Sequence, residues 1–381
     1  MRGTVTVPWL VPGGAVALPQ MRHIRSGLMG SLSQSRSGPS AALNSAGDVP
    51  PNGRLRGRGR WVFVGASLAA AGAAGVAYKR LAAGRGGDQS VDDVRLALGW
   101  GEGVERQDHT VLRTLDGAQL AVWDLERGGA DAPVVVLPHC WGCSHEVWLP
   151  VTRRLREEGF RVVLYDQRGH GASTRGTAPL TIETLAHDLT AVLDGTDVRD
   201  AVLAGHSMGG MTIMSLAMHR PDVLRERAKA TVLVATAATS LGGSSAQGAR
   251  VADALVASPL VTRAMRSKNG HVFVRGAFGQ SPVRSHMDLT RDLFGGCHGV
   301  VRGDFLRSMS TMDLLEGLAT MEVPTTVMVG TRDVLTLPKK ADQIVATVPG
   351  ARLVTLQNRG HMLPLEDPDA VTDEIVRAVK G

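Results

Sequence analysis

Residues 201–220, AVLAGHSMGGMTIMSLAMHR, pass from an apolar run into a helical period with only a glycine-flanked serine between them. A strand that turns straight into a helix must reverse its backbone sharply at Ser207. Gly205 and Gly209 remove the Cβ atoms that would obstruct such a turn. A unit of this kind belongs in a mostly parallel sheet, where the return connection is a helix and both faces are covered.

The neighbouring sequence repeats the pattern. HTVLRTLD (109–116) and AQLAVWDL (118–125) alternate apolar and polar residues around Gly117, as a half-buried hairpin does. PVVVLP (133–138), RVVLYD (161–166), TVLVAT (231–236), TTVMVGTRD (325–333) and ARLVTLQN (351–358) are further strand patterns. Helical patterns fall between them at 146–158, 181–195, 208–220, 338–348 and 368–380. The expectation is an α/β fold: a mostly parallel eight-stranded sheet with helices on both faces. Residues 237–320 hold helical patterns and no clear strand, so a helical cap is expected after the sixth strand. It would divide the core into 104–236 and 321–381.

Of the 381 residues, 43% are hydrophobic, enough for a large core. The net charge of +6 invites a nucleic-acid reading, but it is confined to one end. Residues 1–60 carry eight arginines against the single acid Asp48, which leaves the remainder slightly acidic. No basic stripe is left for a nucleic acid. Residues 1–60, rich in Gly, Ser, Pro and Arg, read as a disordered tail. Residues 61–80 form a hydrophobic segment in which WVFVGASLAAAGAAGVAY (61–78) is uncharged between basic flanks. It fits a membrane anchor or uncleaved signal, a cleaved signal, or a soluble Ala-rich helix. The first two would make the protein membrane-anchored or exported, the third cytoplasmic. Three cysteines are too few for a disulfide scaffold.

The GHSMGG turn is G-x-S-x-G in a strand–turn–helix setting, which exposes the serine oxygen above the sheet. Ser207 is therefore the candidate nucleophile. The helix behind it aims N–H groups at developing negative charge, and the Met208 N–H is the first of them. A serine needs a base, and the base an orienter. Asp333 follows one late strand and His361 the last, in the order Ser, acid, His. No cluster has metal-ligand spacing, and no cofactor is expected. Cys140 and Cys143 in PHCWGCSHEVW form a CxxC, the spacing of a thiol oxidoreductase, but that reading would leave Ser207, Asp333 and His361 unexplained.

LPHCWGCSHEVW, VVLYDQRGHGAST, AGHSMGGMTIM, VGTRDVLTLP and GHMLPLEDP together resemble the α/β-hydrolase superfamily over about residues 104–381. The likeness is greatest to esterase, lipase and haloperoxidase-like members with a helical cap, in the style of actinobacterial hydrolases with an N-terminal hydrophobic segment. The resemblance implies Ser207 as nucleophile, Asp333 as acid and His361 as base. It also implies a second oxyanion donor, the N–H of Trp141, in a loop where Cys140 stands at a position usually held by glycine. Asp166 and His170, in the YDQRGHG turn, are implied to be structural. A serine nucleophile argues against dehalogenases and epoxide hydrolases, which use Asp. The expected activity is hydrolysis of carboxylic ester-type bonds in a small or lipid-like apolar substrate. Alternatives are a cofactor-free haloperoxidase or perhydrolase with the same triad, and a non-catalytic binding protein on this fold. Met265, Met287, Met309 and Met312, with Phe294 and Phe305, are candidates to line an apolar site under the cap.

Overall fold

The structure, a computed structural model, describes residues 5–6, 109–125, 129, 131–241, 254, 256–267 and 269–380. The segment 61–78 lies outside the described residues, as does the 1–60 tail except for Val5–Thr6. Among the described residues, no helix is long and apolar enough to cross a membrane.

Among the described residues, nine strands form one sheet: β1 (Val5–Thr6), β2 (Thr110–Arg113), β3 (Gln119–Leu125), β4 (Val134–Leu137), β5 (Arg161–Tyr165), β6 (Ala201–His206), β7 (Ala228–Val234), β8 (Thr325–Gly330) and β9 (Arg352–Leu356). Their spatial order is β1-β2-β3-β5-β4-β6-β7-β8-β9. Pairing is antiparallel for β2/β3 and β3/β5 and parallel elsewhere. Eight strands run from residue 110 onward. The ninth, Val5–Thr6, comes from the stretch read as a tail and pairs Val5 with Leu112 along β2, an edge that is otherwise open.

Among the described residues, twelve helices connect and cover these strands: α1 (Leu149–Glu157), α2 (Ile182–Gly195), α3 (Met208–His219), α4 (Pro221–Arg227), α5 (Pro259–Met265), α6 (His271–Val274), α7 (Arg284–Gly296), α8 (Gly299–Thr311), α9 (Leu315–Ala319), α10 (Pro338–Thr347), α11 (Leu363–Glu366) and α12 (Pro368–Lys380). The period of two along the strands sorts the core into two layers. Val135, Leu137, Val162, Leu164, Val202 and Ala204 face α1 and α12. Val136, Val163, Tyr165, Leu203, Val327 and Val329 face α2, α3 and α10. Both faces are buried, which is why these strands read as continuous apolar runs.

Helices α5 to α9 lie between β7 and β8 in the chain. Met265, Met287, Met309, Met312 and Phe305 are buried in the two apolar clusters. Phe294 is half-buried and touches both clusters.

Order reverses beside β4, which sits between β5 and β6. The crevice at the carboxyl ends of strands around such a reversal is where open α/β sheets bind ligands. The loops after β4, β6, β8 and β9 meet at that end.

Candidate active site

Ser207 has φ 52 and ψ −112, a conformation that a non-glycine residue holds only under constraint. The constraint comes from every side. Its N–H donates to Val234 O (2.9 Å), and its carbonyl accepts from Thr236 Oγ1 (2.7 Å). Gly205 backs onto the Gly209 carbonyl, and Gly209 onto the Pro138 carbonyl, so closely that a Cβ on either would overlap backbone. The serine thus stands at the N-terminus of α3, and Met208 begins that helix. Ser207 is 6% exposed.

Asp333 and His361 meet. His361 Nδ1 donates to Asp333 Oδ2 at 2.9 Å, and both side chains are buried. The rest of the carboxylate is occupied: Oδ1 accepts from Leu335 N and Thr336 N (2.8 Å each), and Oδ2 also from Thr336 Oγ1 (2.7 Å). Burial works against a charged His361, but the Asp333 carboxylate outweighs it and raises the imidazole above its ordinary range. The loop that carries His361 hangs on Glu366, which accepts from Gly360 N, Met362 N and Gly279 N. His361 N also donates to Ala277 O (2.8 Å). Thr336 and Glu366 carried no sequence signal, because both act through backbone and side-chain bonds that only the folded loops create.

The base loop and the serine turn are joined through His206. Its ring Nε2 bonds the His361 carbonyl at 2.8 Å. A carbonyl only accepts, so Nε2 carries the proton and Nδ1 is bare in the neutral ring. Among the described residues, no hydrogen bond ties Ser207 Oγ to His361, and in unliganded sites this link is often loose.

The loop after β4 forms a turn, Cys140 to Cys143, closed by Cys143 N donating to Cys140 O (3.3 Å). Gly142, the third residue, has φ +72, as a type II turn requires. Cys140 itself has no positive φ, so the cysteine at the position expected for glycine strains nothing. Gly142 N donates to His170 Nε2 (3.0 Å), and a Cβ on Gly142 would run into the Phe294 ring. The Trp141 indole donates to the Arg302 carbonyl in α8 (3.1 Å). Among the described residues, the backbone N–H groups of Trp141 and Met208 have no hydrogen-bond acceptor.

The YDQRGHG turn supports this loop from below. Gln167 N donates to His139 Nε2 (2.9 Å), and Gln167 Nε2 to the His139 carbonyl (2.6 Å). His139 Nδ1 then bonds Cys140 O, and His170 Nδ1 bonds Arg168 O. Each ring therefore has one donor and one acceptor nitrogen engaged, the pattern of a neutral imidazole. Burial pushes His170 down to about 3 and His139 below its usual range. Burial would lift the Asp166 carboxyl, but His145 beside it and the bonds it accepts hold it at about 2. Asp166 and His170 thus brace the turn Cys140 to Cys143 and the 3-10 turn after it.

A cavity of about 1130 Å³ lies among α5, α7 and α8, lined by Leu260, Arg263, Arg266, Cys297, His298 and Val300 among others, and by none of Ser207, Asp333 or His361. Among the described residues, no cluster of His, Cys, Asp or Glu could hold a metal ion.

The chain is similar to 3-oxoadipate enol-lactonase 2 of Acinetobacter baylyi, 26% identical over 268 residues, 70% of this chain and 96% of that protein. It is 38% identical over 99 residues to a bifunctional esterase/perhydrolase of Acinetobacter calcoaceticus, spanning 26% of this chain and 35% of that one. Among solved structures, a hydrolase from Pseudomonas aeruginosa is 28% identical, with TM-score 0.60 over 72% of this chain and all of that one. The model of the alpha/beta hydrolase family matches residues 134–374, which run from β4 to beyond His361. With the sheet order and the loops gathered at its switch point, this shows that the chain belongs to the alpha/beta hydrolase family.

Proposed function

We propose that the protein is a serine hydrolase that cleaves carboxylic ester-type bonds of a small or lipid-like apolar substrate through an acyl-serine intermediate. The observation that carries the reading is the His361 Nδ1–Asp333 bond of 2.9 Å on the loops beside the strained Ser207 turn. With Nδ1–H held by Asp333, Nε2 of the neutral ring is bare and can accept a proton. His361 takes the proton of Ser207 Oγ as that oxygen attacks the carbonyl carbon. Asp333 stabilises the imidazolium that forms. The oxyanion rests on the free N–H groups of Met208 and Trp141, at the positive end of α3. His361 returns its proton to the leaving alcohol, and a water deprotonated by the same ring releases the acid. The helices after β7 cover the site from above: Phe294 packs over Gly142, and Arg302 holds the Trp141 indole.

Ser207→Ala is expected to lower kcat for a short p-nitrophenyl ester by at least about 10⁴-fold with little loss of stability. A fluorophosphonate probe should label the wild type at Ser207 and leave the variant unlabelled. Undiminished turnover by the variant overturns the reading.

A second reading is favoured by the local similarity to the esterase/perhydrolase. The same serine, acid and base could pass the acyl group to hydrogen peroxide and release a peracid. Peroxide-dependent halogenation of monochlorodimedone, measured beside ester hydrolysis, distinguishes the two.

A further inference from the structure

The hydrolytic mechanism uses the backbone of the CxxC turn and leaves its two thiols without a task. Cys140 and Cys143 are both free and buried, at 4% exposed each, against 6% for Ser207 and 5% for His361. Their turn is closed by the Cys143 N–Cys140 O bond. The ends of such a turn lie within about 7 Å between Cα atoms, which overlaps the range of about 4.4–6.8 Å that a disulfide spans. Gly142 gives the turn its positive φ, and the Gly142 N–His170 bond anchors it.

The two thiols stand at the two ends of one turn and pack in the same apolar cluster. His206 bonds the His361 carbonyl through Nε2, and its buried Nδ1 has no hydrogen-bond partner. Hydrogen bonding from the Cys143 S–H is the main influence favouring a Cys140 thiolate, and it overcomes burial with help from His206 and His139. Cys143 is raised in turn, chiefly by giving that bond. The third thiol, Cys297 at the end of α7, is pushed up by burial to about 12.

We propose that Cys140 and Cys143 form a peroxide-reactive dithiol in the oxyanion loop, and that its oxidation to a disulfide switches the hydrolase off. The Cys140 thiolate attacks the outer oxygen of a hydroperoxide. An S–O bond forms, the O–O bond breaks, and the departing alkoxide or hydroxide takes the proton given up by the Cys140 thiol. Cys140 is now a sulfenic acid. The Cys143 sulfur attacks it, the S–S bond forms, and water leaves. One hydroperoxide thus consumes two thiols and yields one alcohol or water, one further water and the disulfide. A dithiol reductant reverses the sequence. The bridge draws the two sulfurs together and moves the peptide that carries the Trp141 N–H.

The loss of activity rests on the hydrolase reading above; the thiol chemistry does not. The full chain, reduced and then treated with one equivalent of hydrogen peroxide, is digested without reduction and its thiols are mapped by mass spectrometry. A Cys140–Cys143 disulfide with Cys297 still free is expected in the wild type and equally in Ser207→Ala. Cys143→Ser should trap Cys140 as a sulfenic acid that dimedone labels, while Cys297→Ser should form the disulfide unchanged. Ester kcat of the oxidised wild type should fall about tenfold or more and return with dithiothreitol. A bridge to Cys297, or no dimedone adduct on Cys140, overturns the dithiol. Full disulfide with unchanged kcat overturns the switch. If the reduced protein hydrolyses no ester while Cys140–Cys143 still forms, it is the hydrolase reading that has failed.

Discussion

His361 shows how a single side chain is set to its task by three neighbours. Asp333 fixes which nitrogen carries the proton, Thr336 shares the carboxylate, and Glu366 ties down the loop. A base acts only when neutral, and Asp333 raises the pKa of this one. Activity should therefore rise with pH through a value above about 6.5, the ordinary histidine value. The acidic limb of the kcat/KM profile measures it, and a limb centred below that value contradicts the assigned pair. Asp333→Asn should cut kcat by about 10⁴-fold, because the ring loses its preferred tautomer. That Asp333 and His361 meet was legible in the sequence, because each follows a late strand whose loops share one end of the sheet. Thr336 and Glu366 were not. A threonine three residues after an aspartate, and a glutamate five after a histidine, look like ordinary loop and helix residues until the loops close.

At the scale of elements, agreement was closest where a periodic pattern had its own stop signals. α12 occupies Pro368–Lys380, as its pattern predicts, with proline in the first position. The stretch after α3 differs from its pattern, which predicts a helix to Arg220 and a strand from Thr231. In the fold, Pro221 restarts a helix, α4, and β7 begins at Ala228. Ala228, Lys229 and Ala230 have little strand propensity of their own; pairing with Ala201 and Val202 on β6 recruits them. The oxyanion turn is the element most sensitive to change. Gly142→Ala meets both a positive φ and the Phe294 ring, and is expected to destabilise by about 1–3 kcal/mol and to lower kcat. Gly117→Ala has a similar φ and open space around it, so it serves as the control. Urea unfolding midpoints for the two, with ester kcat, separate backbone strain from the loss of the turn's seat. Equal stability of the two variants would mean that the Phe294 contact matters little.

The whole molecule keeps two imidazoles neutral beneath its active loop, and this makes stability depend on pH. His170 titrates at about 3 in the fold and at about 6.5 in an unfolded chain. Between those values the unfolded state binds the extra proton, so stability falls as pH falls, by up to about 1.4 kcal/mol per pH unit from this residue alone. Melting temperature measured from pH 7 to pH 4 should drop accordingly. His170→Gln should start lower, because Gly142 loses its acceptor, yet show a shallower slope; an unchanged slope removes His170 as the source. The mostly parallel sheet was open to reading because both faces are covered and the strands are uniformly apolar; the order of its strands was not. The Trp141–Arg302 bond was not, since it joins residues 161 positions apart. Distance along the chain has a further meaning for the His206–His361 bond, which joins residues 155 positions apart. As the chain is made, the residues of the Ser207 turn precede the loop after β9, at the sheet's edge, by more than a hundred positions. Under the proposed mechanism, a nascent chain holds Ser207 without His361 until that last loop has been made.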